Sequence, residues 1–282
     1  MNYILVNKRT KKTNRDDTLS SMLTLVPKEK EILIANDTDY DELLAKLTEE
    51  DCLYLAGGDG TLNYFFNQVN PDTIENDIYF YSMGSGNDFF RDLGLKKTFV
   101  KMNDYLKNLP TINGGTFERR FFLGTGLGMD GATAHYSQTD EQKKNKNFVW
   151  GAIKAFFNYK PYNATVTIDG QSHHFEGIYL ASVMKGSCVG GGMVIAPYQN
   201  RTDPDGKLTM VVVHSKNPIT ALFSLLKVLF NKGKRTEKHF FECRGYEFKV
   251  EADRDNYLFY DGEDCPLGNS FSVSAKVLAP TK

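Results

Sequence analysis

The first third of the chain alternates short apolar runs with a segment of helical periodicity. Apolar runs at residues 3–6, 32–35, 53–56 and 77–81 have the length of buried strands. Residues 39–47 place their leucines on one face, which predicts a helix. Strands that alternate with helices predict a parallel sheet with right-handed crossovers. Such sheets bind ligands at the carboxyl ends of their strands.

The pattern changes after about residue 110. Short β-rich runs separated by turn residues replace the alternation, which is typical of an antiparallel sandwich or barrel. These runs are residues 117–123, 164–168, 177–183, 208–214, 245–251 and 271–277. We therefore predict a Rossmann-like parallel α/β domain over residues 1–115 and an antiparallel β-sandwich domain over residues 116–277. Whether residues 278–282 pack back on the first domain stays open.

Composition adds little beyond the class of protein. The 282 residues are 41% hydrophobic and 24% charged, as in ordinary globular proteins, and the net charge of −1 creates no overall field that would recruit nucleic acid. The cysteines Cys52, Cys188, Cys243 and Cys265 lie far apart, which disfavours a zinc site or a disulfide framework. With no signal peptide and no apolar run of about 18 residues, the sequence predicts a cytoplasmic protein.

Two glycine-rich turns follow neighbouring predicted strands, GGDGT at residues 57–61 and GSGND at residues 84–88. Glycine has no Cβ, so backbone amides can face an anion, and the N-terminus of a following helix adds partial positive charge. Asp59 suggests a magnesium-bound phosphate. The alternative is a tight turn in which Asp59 caps its own helix. Two such turns at one sheet edge favour the phosphate site.

The order of the motifs resembles the diacylglycerol kinase catalytic family, whose relatives include sphingosine and ceramide kinases. The resemblance rests on GGDGT at 57–61, GSGNDF at 84–89 and Asp261-Gly262-Glu263, and it covers nearly the whole chain. A glycine-rich segment that ends at Asp130 and the DPDGKL segment at 203–208 also match. GGDGT alone is shared with NAD kinases and phosphofructokinases, so the other motifs make the resemblance specific.

The resemblance implies an ATP- and magnesium-dependent lipid kinase and a role for each motif. ATP would be bound by Asn7, Gly57, Gly58, Asp59, Gly60, Thr61, Asn63, Gly84, Ser85, Gly86 and Asn87. The catalytic residues would be Asp261 as the general base on the lipid hydroxyl, Glu263 beside it, and Asp59, Asp88 and Asp130. A structural magnesium would be bound by Asp205, with Thr202 and Lys207. Taken alone, Asp261-Gly262 and Asp205-Gly206 are also good hairpin turns.

A lipid kinase must reach a membrane, and the resemblance makes diacylglycerol, converted to phosphatidic acid for phospholipid biosynthesis, the first acceptor to expect. Residues 143–162 and 216–240 mix large apolar side chains with lysines, which suits peripheral contact with an anionic membrane surface. The alternative for each segment is a core helix with a solvated basic end. Relatives that dimerise make a homodimer an option.

Three departures from the family pattern concern the nucleotide domain. Asn7 is followed by Lys8 and Arg9 without the usual proline and glycine, Tyr64 stands where a glutamate is common, and Asn36-Asp37 stands where a threonine is usual. These changes bear on ATP affinity or nucleotide preference. Two alternatives remain: a soluble-metabolite kinase of the NAD kinase type, and a non-catalytic nucleotide- or lipid-binding relative. The retained Asp59, Asp88, Asp261 and Glu263 argue against the second.

Overall fold

The computed structural model describes residues 1–7, 16–27, 29–84, 86–95, 99–139, 155, 156, 158–230, 235 and 238–275. It divides into two compact units, Met1–Lys107 and Asn108–Lys282. Lys8, Arg9, Ser85, most of segment 143–162, part of segment 216–240 and residues 278–282 lie outside the described residues, so the predictions for them stay predictions.

The first unit is an α/β sheet, as predicted. Its strands are β1 (Asn2–Val6), β2 (Lys30–Ile34), β3 (Cys52–Gly57), β4 (Asp77–Ser82) and β5 (Phe99–Lys101). Its helices are α1 (Asp16–Leu25), α2 (Tyr40–Lys46), α3 (Asp59–Gln68), α4 (Asp88–Asp92) and α5 (Asn103–Leu106), with a 3₁₀ turn at Pro71–Thr73. The strand order is β2-β1-β3-β4-β5; the first four strands are parallel and β5 is antiparallel to β4.

The central strands of this sheet explain why its apolar runs are continuous. In β1 and β3 successive residues such as Ile4 and Leu5 are fully buried, because a parallel sheet is covered on both faces. The strand order reverses between β1 and β3, and sheets of this kind bind ligands at the carboxyl ends of the strands beside such a reversal. Asn7 and the GGDGT turn follow these two strands.

The second unit is antiparallel, as predicted. Its strands are β6 (Thr111–Asn113), β7 (Glu118–Arg120), β8 (Gly124–Gly128), β9 (Tyr162–Ile168), β10 (Gln171–Met184), β11 (Cys188–Val189), β12 (Met193–Val194), β13 (Leu208–His214), β14 (Phe240–Gly245), β15 (Glu247–Asn256), β16 (Leu258–Tyr260), β17 (Glu263–Asp264) and β18 (Gly268–Ser274). The helices whose bounds lie within the described residues are α6 (Met129–Thr139) and α7 (Pro218–Phe230). Eleven strands form one sheet, ordered β17-β16-β8-β10-β9-β15-β18-β6-β7, with β13 between β10 and β14.

Alternation along the strands gives this sheet two buried faces. In β10, Ala181 and Val183 join a large core with strands β9, β15 and β18, whereas Leu180 and Met184 face a second core. The second core contains Ala221 and other residues of α7. Helix α7 therefore covers one face of the sheet, while the opposite face encloses the core of the sandwich.

Three details differ from the sequence predictions or add to them. The first unit ends at Lys107, before the predicted residue 115, because β6 pairs with β18 of the second unit. Of the strand predicted at residues 117–123, only Glu118–Arg120 form a strand, β7. Residues 121–123 are buried but do not belong to a strand. The glycines at 124–128 form β8. There a Cβ on Gly126 would lie 2.6 Å from the carbonyl oxygen of Ala181, so the close approach of two strands requires glycine.

Candidate active site

A hydrogen bond joins Asn7, which directly follows β1, to Thr61 in the first turn of α3. Asn7 Nδ2 donates to Thr61 Oγ1 at 3.3 Å. The Thr61 side chain is buried against the end of β3, where a Cβ on Gly57 would lie 2.1 Å from Thr61 Oγ1. Glycine at position 57 is therefore needed to accommodate the Thr61 hydroxyl. These contacts bring three predicted nucleotide-binding residues together.

The two glycine-rich turns pack directly on each other. A Cβ on Gly84 would lie 2.7 Å from Gly58 Cα, and a Cβ on Gly58 would lie 3.1 Å from Gly84 Cα. Gly58 has an extended φ of −96° and is the N-cap of α3, without a side-chain cap. Gly58 and Gly84 therefore provide space for two backbones rather than a left-handed conformation. Gly60, the second residue of α3, lies in the first turn, where helix amides lack intrahelical acceptors.

Asp59 connects the two turns chemically. Its Oδ2 accepts a hydrogen bond from the amide of Asp88 at 3.0 Å, and its Oδ1 accepts one from the amide of Phe89 at 3.4 Å. Asp59 thus caps α4 rather than its own helix, which differs from the interpretation in which it caps α3. The carboxylate holds the start of the GSGNDF helix against the GGDGT turn.

The second turn depends on a left-handed residue. Asn87 has φ 54°, a conformation that asparagine adopts more readily than most residues, and its Oδ1 accepts a hydrogen bond from the hydroxyl of Ser82. The carbonyl of Gly86 accepts a hydrogen bond from Arg91 Nε at 2.9 Å. The Asp88 side chain is buried at the start of α4. These contacts bring Gly86, Asn87 and Asp88 together with Asp59.

Two residues of α3 have a packing role in the structure. Asn63 is buried, and its backbone carbonyl accepts a hydrogen bond from Asn67 Nδ2 at 3.1 Å. The ring of Tyr64 packs against the ring of Tyr40 in α2, with centroids 6.3 Å apart. The departure from glutamate at position 64 is thus accommodated by packing between two helices.

In the second unit, Asp261 occupies the first position of a two-residue hairpin loop between β16 and β17. Asp261 has φ 48° and Gly262 has φ 79°, the positive pair of a type I′ turn. The carboxylate is only 7% exposed and accepts backbone hydrogen bonds from Phe122 at 2.9 Å, Leu123 at 2.8 Å and Gly124 at 3.1 Å. Three N–H donors stabilise the negative charge. Glu263 follows directly, paired with Tyr260.

Asp130 has a different environment in the first turn of α6. Its Oδ2 accepts a hydrogen bond from the hydroxyl of Ser182, and its Oδ1 accepts one from the amide of Gly131 at 2.9 Å. Burial raises the pKa of Asp130 to about 7, although both hydrogen bonds act in the opposite direction. A carboxyl group with a pKa near neutrality can gain or lose a proton under physiological conditions, which suits acid–base chemistry.

The residues predicted to hold a structural magnesium are already engaged. Asp205 Oδ1 accepts from the amide of Lys207 at 2.9 Å and from Arg244 Nη2 at 2.9 Å. The ammonium of Lys207 lies over the ring of Tyr246, and the hydroxyl of Thr202 donates to Asn200 at 2.8 Å. No group of three or more His, Cys, Asp or Glu gathers within the part of the chain that the structure describes. In this structure the cation that faces Asp205 is the guanidinium of Arg244.

Two buried polar residues near these carboxylates were not singled out by the sequence analysis. Ser182, the donor to Asp130, interrupts an otherwise apolar run in β10, and that interruption is the one feature that could have singled it out. Arg201 is buried, donates to the carbonyl of Phe122 at 3.2 Å and lies over the ring of Phe122. Through Phe122, Arg201 supports the segment that bonds to Asp261.

Two family models match the chain in succession. Residues 2–114 match the diacylglycerol kinase catalytic domain, and residues 125–279 match the YegS C-terminal NAD kinase beta sandwich-like domain. A protein of Staphylococcus haemolyticus named "Putative lipid kinase SH2167" is 25% identical over 192 residues, which are 66% of this chain and 59% of that protein. "Putative lipid kinase SAB0675c" of Staphylococcus aureus is 22% identical over 190 residues, or 64% and 59%. The matches span less than two thirds of these relatives.

Solved structures share the fold over almost the whole chain. A crystal structure titled "putative diacylglycerol kinase from Bacillus anthracis str. Sterne" matches with a TM-score of 0.71 and 19% identity, covering 99% of this chain and 97% of the other. Yeast NADH kinase in complex with NADH matches with a TM-score of 0.52 and 10% identity, covering 99% and 79%. Two successive domain matches and the retained motifs agree. The chain belongs to the family that joins a diacylglycerol kinase catalytic domain to a YegS-type C-terminal domain.

Proposed function

We propose that the chain is a kinase that transfers the γ-phosphate of ATP to a lipid hydroxyl, with diacylglycerol as the first candidate acceptor. The observation that carries the proposal is the hydrogen bonding of Asp59 to the amides of Asp88 and Phe89. It joins two glycine-rich turns at the carboxyl ends of neighbouring parallel strands, beside the reversal of strand order. Nucleotides bind at this edge of α/β sheets. The match to a diacylglycerol kinase catalytic domain supports a second substrate that accepts the phosphoryl group.

On the nucleotide side, the amides at the N-terminus of α3 suit phosphate oxygens, because they carry partial positive charge and have no intrahelical acceptor. The side-chain amide of Asn7 and the hydroxyl of Thr61 lie at the same edge of the sheet and add polar groups to this phosphate site. Asp59 and Asp88 are the carboxylates that would hold a magnesium ion together with the phosphates. When bound, magnesium neutralises charge on the transferred phosphoryl group.

On the acceptor side, the lipid hydroxyl oxygen forms a bond to the γ-phosphorus while the bond from that phosphorus to ADP breaks. The hydroxyl proton passes to a carboxylate, and we assign this role to Asp261, with Glu263 beside it. The three backbone amides that bond to Asp261 fix its orientation. Asp130, whose pKa is about 7, is the second candidate proton acceptor in this unit.

The proposal is tested by transfer of labelled γ-phosphate from Mg·ATP in mixed micelles. The acceptors are diacylglycerol, monoacylglycerol, phosphatidylglycerol, ceramide and sphingosine, with NAD as a soluble acceptor. Label in one lipid that is lost in Asp59→Ala supports the proposal and identifies the acceptor. If the protein binds nucleotide but labels none of the acceptors, the proposal is contradicted.

A soluble-metabolite kinase is the second candidate, because the fold is shared with yeast NADH kinase. That likeness, at 10% identity, concerns the fold alone. Label found only in NAD in the same assay would favour this candidate and remove the need for a membrane surface.

A lipid acceptor requires membrane contact, and we propose that α7 provides it. Ile219 and Phe223 are 67% and 61% exposed and lie four residues apart, so they project from one face of the helix. Lys227 lies in the last turn of the helix, where a lysine suits anionic lipid head groups, and Lys216, which forms an ion pair with Glu176, precedes the helix. No helix in the described part of the chain has the length and apolar character needed to cross a bilayer.

The membrane proposal is tested by sedimentation with vesicles that contain phosphatidylglycerol. Inserting two large, mostly exposed apolar side chains contributes roughly 1 kcal/mol each, given about 1.5–3 kcal/mol for complete burial. The double variant Ile219→Ser and Phe223→Ser should therefore bind about 30-fold more weakly. Leu25→Ser, which removes an apolar side chain of similar exposure from α1, is the control and should bind like the wild type. Equal binding of all three proteins would exclude this face.

A further inference from the structure

We propose that the guanidinium of Arg244 takes the place of a structural cation at the Asp203–Asp205 turn, so that this part of the chain is stable without a metal. The single nitrogen Nη2 of Arg244 lies 2.9 Å from Asp203 Oδ2 and 2.9 Å from Asp205 Oδ1. One positive group thus bridges both carboxylates of the turn. A magnesium ion bound to the same oxygens would stand beside the guanidinium, and the like charges would repel.

The sheet places Arg244 at this turn. Strand β14 pairs with β13, and Arg244 lies opposite Thr209, two residues after Lys207. The hydroxyl of Thr209 donates to Gln199 Oε1 at 2.5 Å, and Gln199 Nε2 donates to the carbonyl of Lys207 at 3.1 Å. The turn and the strand that carries Arg244 therefore belong to one hydrogen-bonded unit.

The turn is complete without a further ligand. The amide of Lys207 bonds to Asp205 Oδ1 at 2.9 Å, two residues along the chain, and the amide of Gly206 bonds to the carbonyl of Asp203 at 3.1 Å. Arg244 therefore supplies the positive charge that faces both carboxylates of the turn.

Thermal unfolding without nucleotide tests the proposal, in EDTA and in millimolar MgCl₂. The wild type should unfold at the same temperature in both. Arg244→Met keeps the aliphatic stem but leaves two carboxylates without their counter-charge. The three side chains are about one third exposed (37%, 32% and 35%), so each ion pair is weak, and the midpoint should fall by about 2–6 °C in EDTA. Magnesium should restore part of the loss by binding the freed carboxylates.

The matched control is Arg254→Met, which removes another partly exposed arginine beside an aspartate, Asp253, in the same unit. It should give no magnesium response, and Arg244→Lys, which keeps the charge, should give none either. Two results would overturn the proposal. One is a magnesium-dependent rise in the midpoint of the wild type that Asp205→Asn abolishes. The other is an Arg244→Met variant that magnesium does not stabilise.

Discussion

Replacing Asp261 by asparagine separates its structural role from its proposed chemical role. Asparagine tolerates the left-handed conformation of this turn position, so the backbone conformation is kept. The side chain retains one oxygen, which can still accept from Leu123 and Gly124. The new NH₂ group then faces the amide of Phe122, and two donors meet where a donor and an acceptor met before.

The magnitude follows from these three bonds. A buried amide left without an acceptor costs about 1–3 kcal/mol, and two bonds that change from a charged to a neutral acceptor lose up to about 1 kcal/mol each. The lower desolvation cost of the neutral side chain offsets part of this. We expect a loss of about 2–4 kcal/mol in the free energy of unfolding, seen as a fall of about 5–15 °C in the midpoint of thermal unfolding.

The chain supplies a matched control in a second Asp-Gly turn. Asp169 and Gly170 join β9 to β10 with φ 47° and 82°, and Asp169 also accepts two backbone hydrogen bonds, at 2.9 Å and 2.8 Å. Both donors bond to the same oxygen of an exposed side chain, so Asp169→Asn keeps both bonds and should cost less than about 1 kcal/mol. Equal stability losses in the two variants would refute the structural reasoning.

Activity is measured at a temperature where both variants are folded. Phosphate transfer should fall by about 10²–10⁴-fold in Asp261→Asn, the usual contribution of a general base, and should remain near wild type in Asp169→Asn. A folded Asp261→Asn variant with wild-type activity would remove Asp261 from the proton-transfer role and leave Asp130 to be tested next.

Further predictions concern the turns and the titrating carboxyl. Gly84→Ala should lower stability by about 1–3 kcal/mol, because its Cβ meets Gly58 Cα at 2.7 Å; an unchanged urea midpoint would contradict this. Asp59→Asn should weaken ATP binding measured by calorimetry, since its NH₂ group would meet the amides of α4. The raised pKa of Asp130 means that the folded state holds the proton more tightly, so Asp130→Asn should gain stability relative to wild type as pH rises from about 4 to about 7. A difference independent of pH would exclude this titration.

The sequence was most informative where one segment determines its own environment. The apolar run of β3 followed by glycines predicted a strand and a turn, and β13 has the predicted bounds, residues 208–214, because an apolar strand in a sheet core has little freedom. Helix α6 was not predicted, because its sequence from Met129 contains Gly131 and small polar residues and lacks a clear apolar stripe.

Contacts between distant segments were beyond the reach of sequence patterns. Residues 121–123 look like part of a strand, but their environment is set by Asp261, almost 140 residues later, whose carboxylate bonds to two of their amides. The bonds from Asp59 to Asp88 and Phe89 and the ion pairs of Arg244 are of the same kind. Each depends on a partner that the local pattern around the aspartate does not specify.

The pairing of β6 with β18 has a consequence for the order in which the chain folds during synthesis. In the first unit, the described strand partners lie at most about 50 residues apart, as in the pairing of Asn2 with Cys52, so that sheet can close early. In the second, Asn113 must wait for Ser272 before β6 has a neighbour on that side. At about 5–20 residues per second, the ribosome needs roughly 10–30 s for the residues between them. During that interval, the edge of β6 and the amides that later bond to Asp261 depend on water or a chaperone for partners.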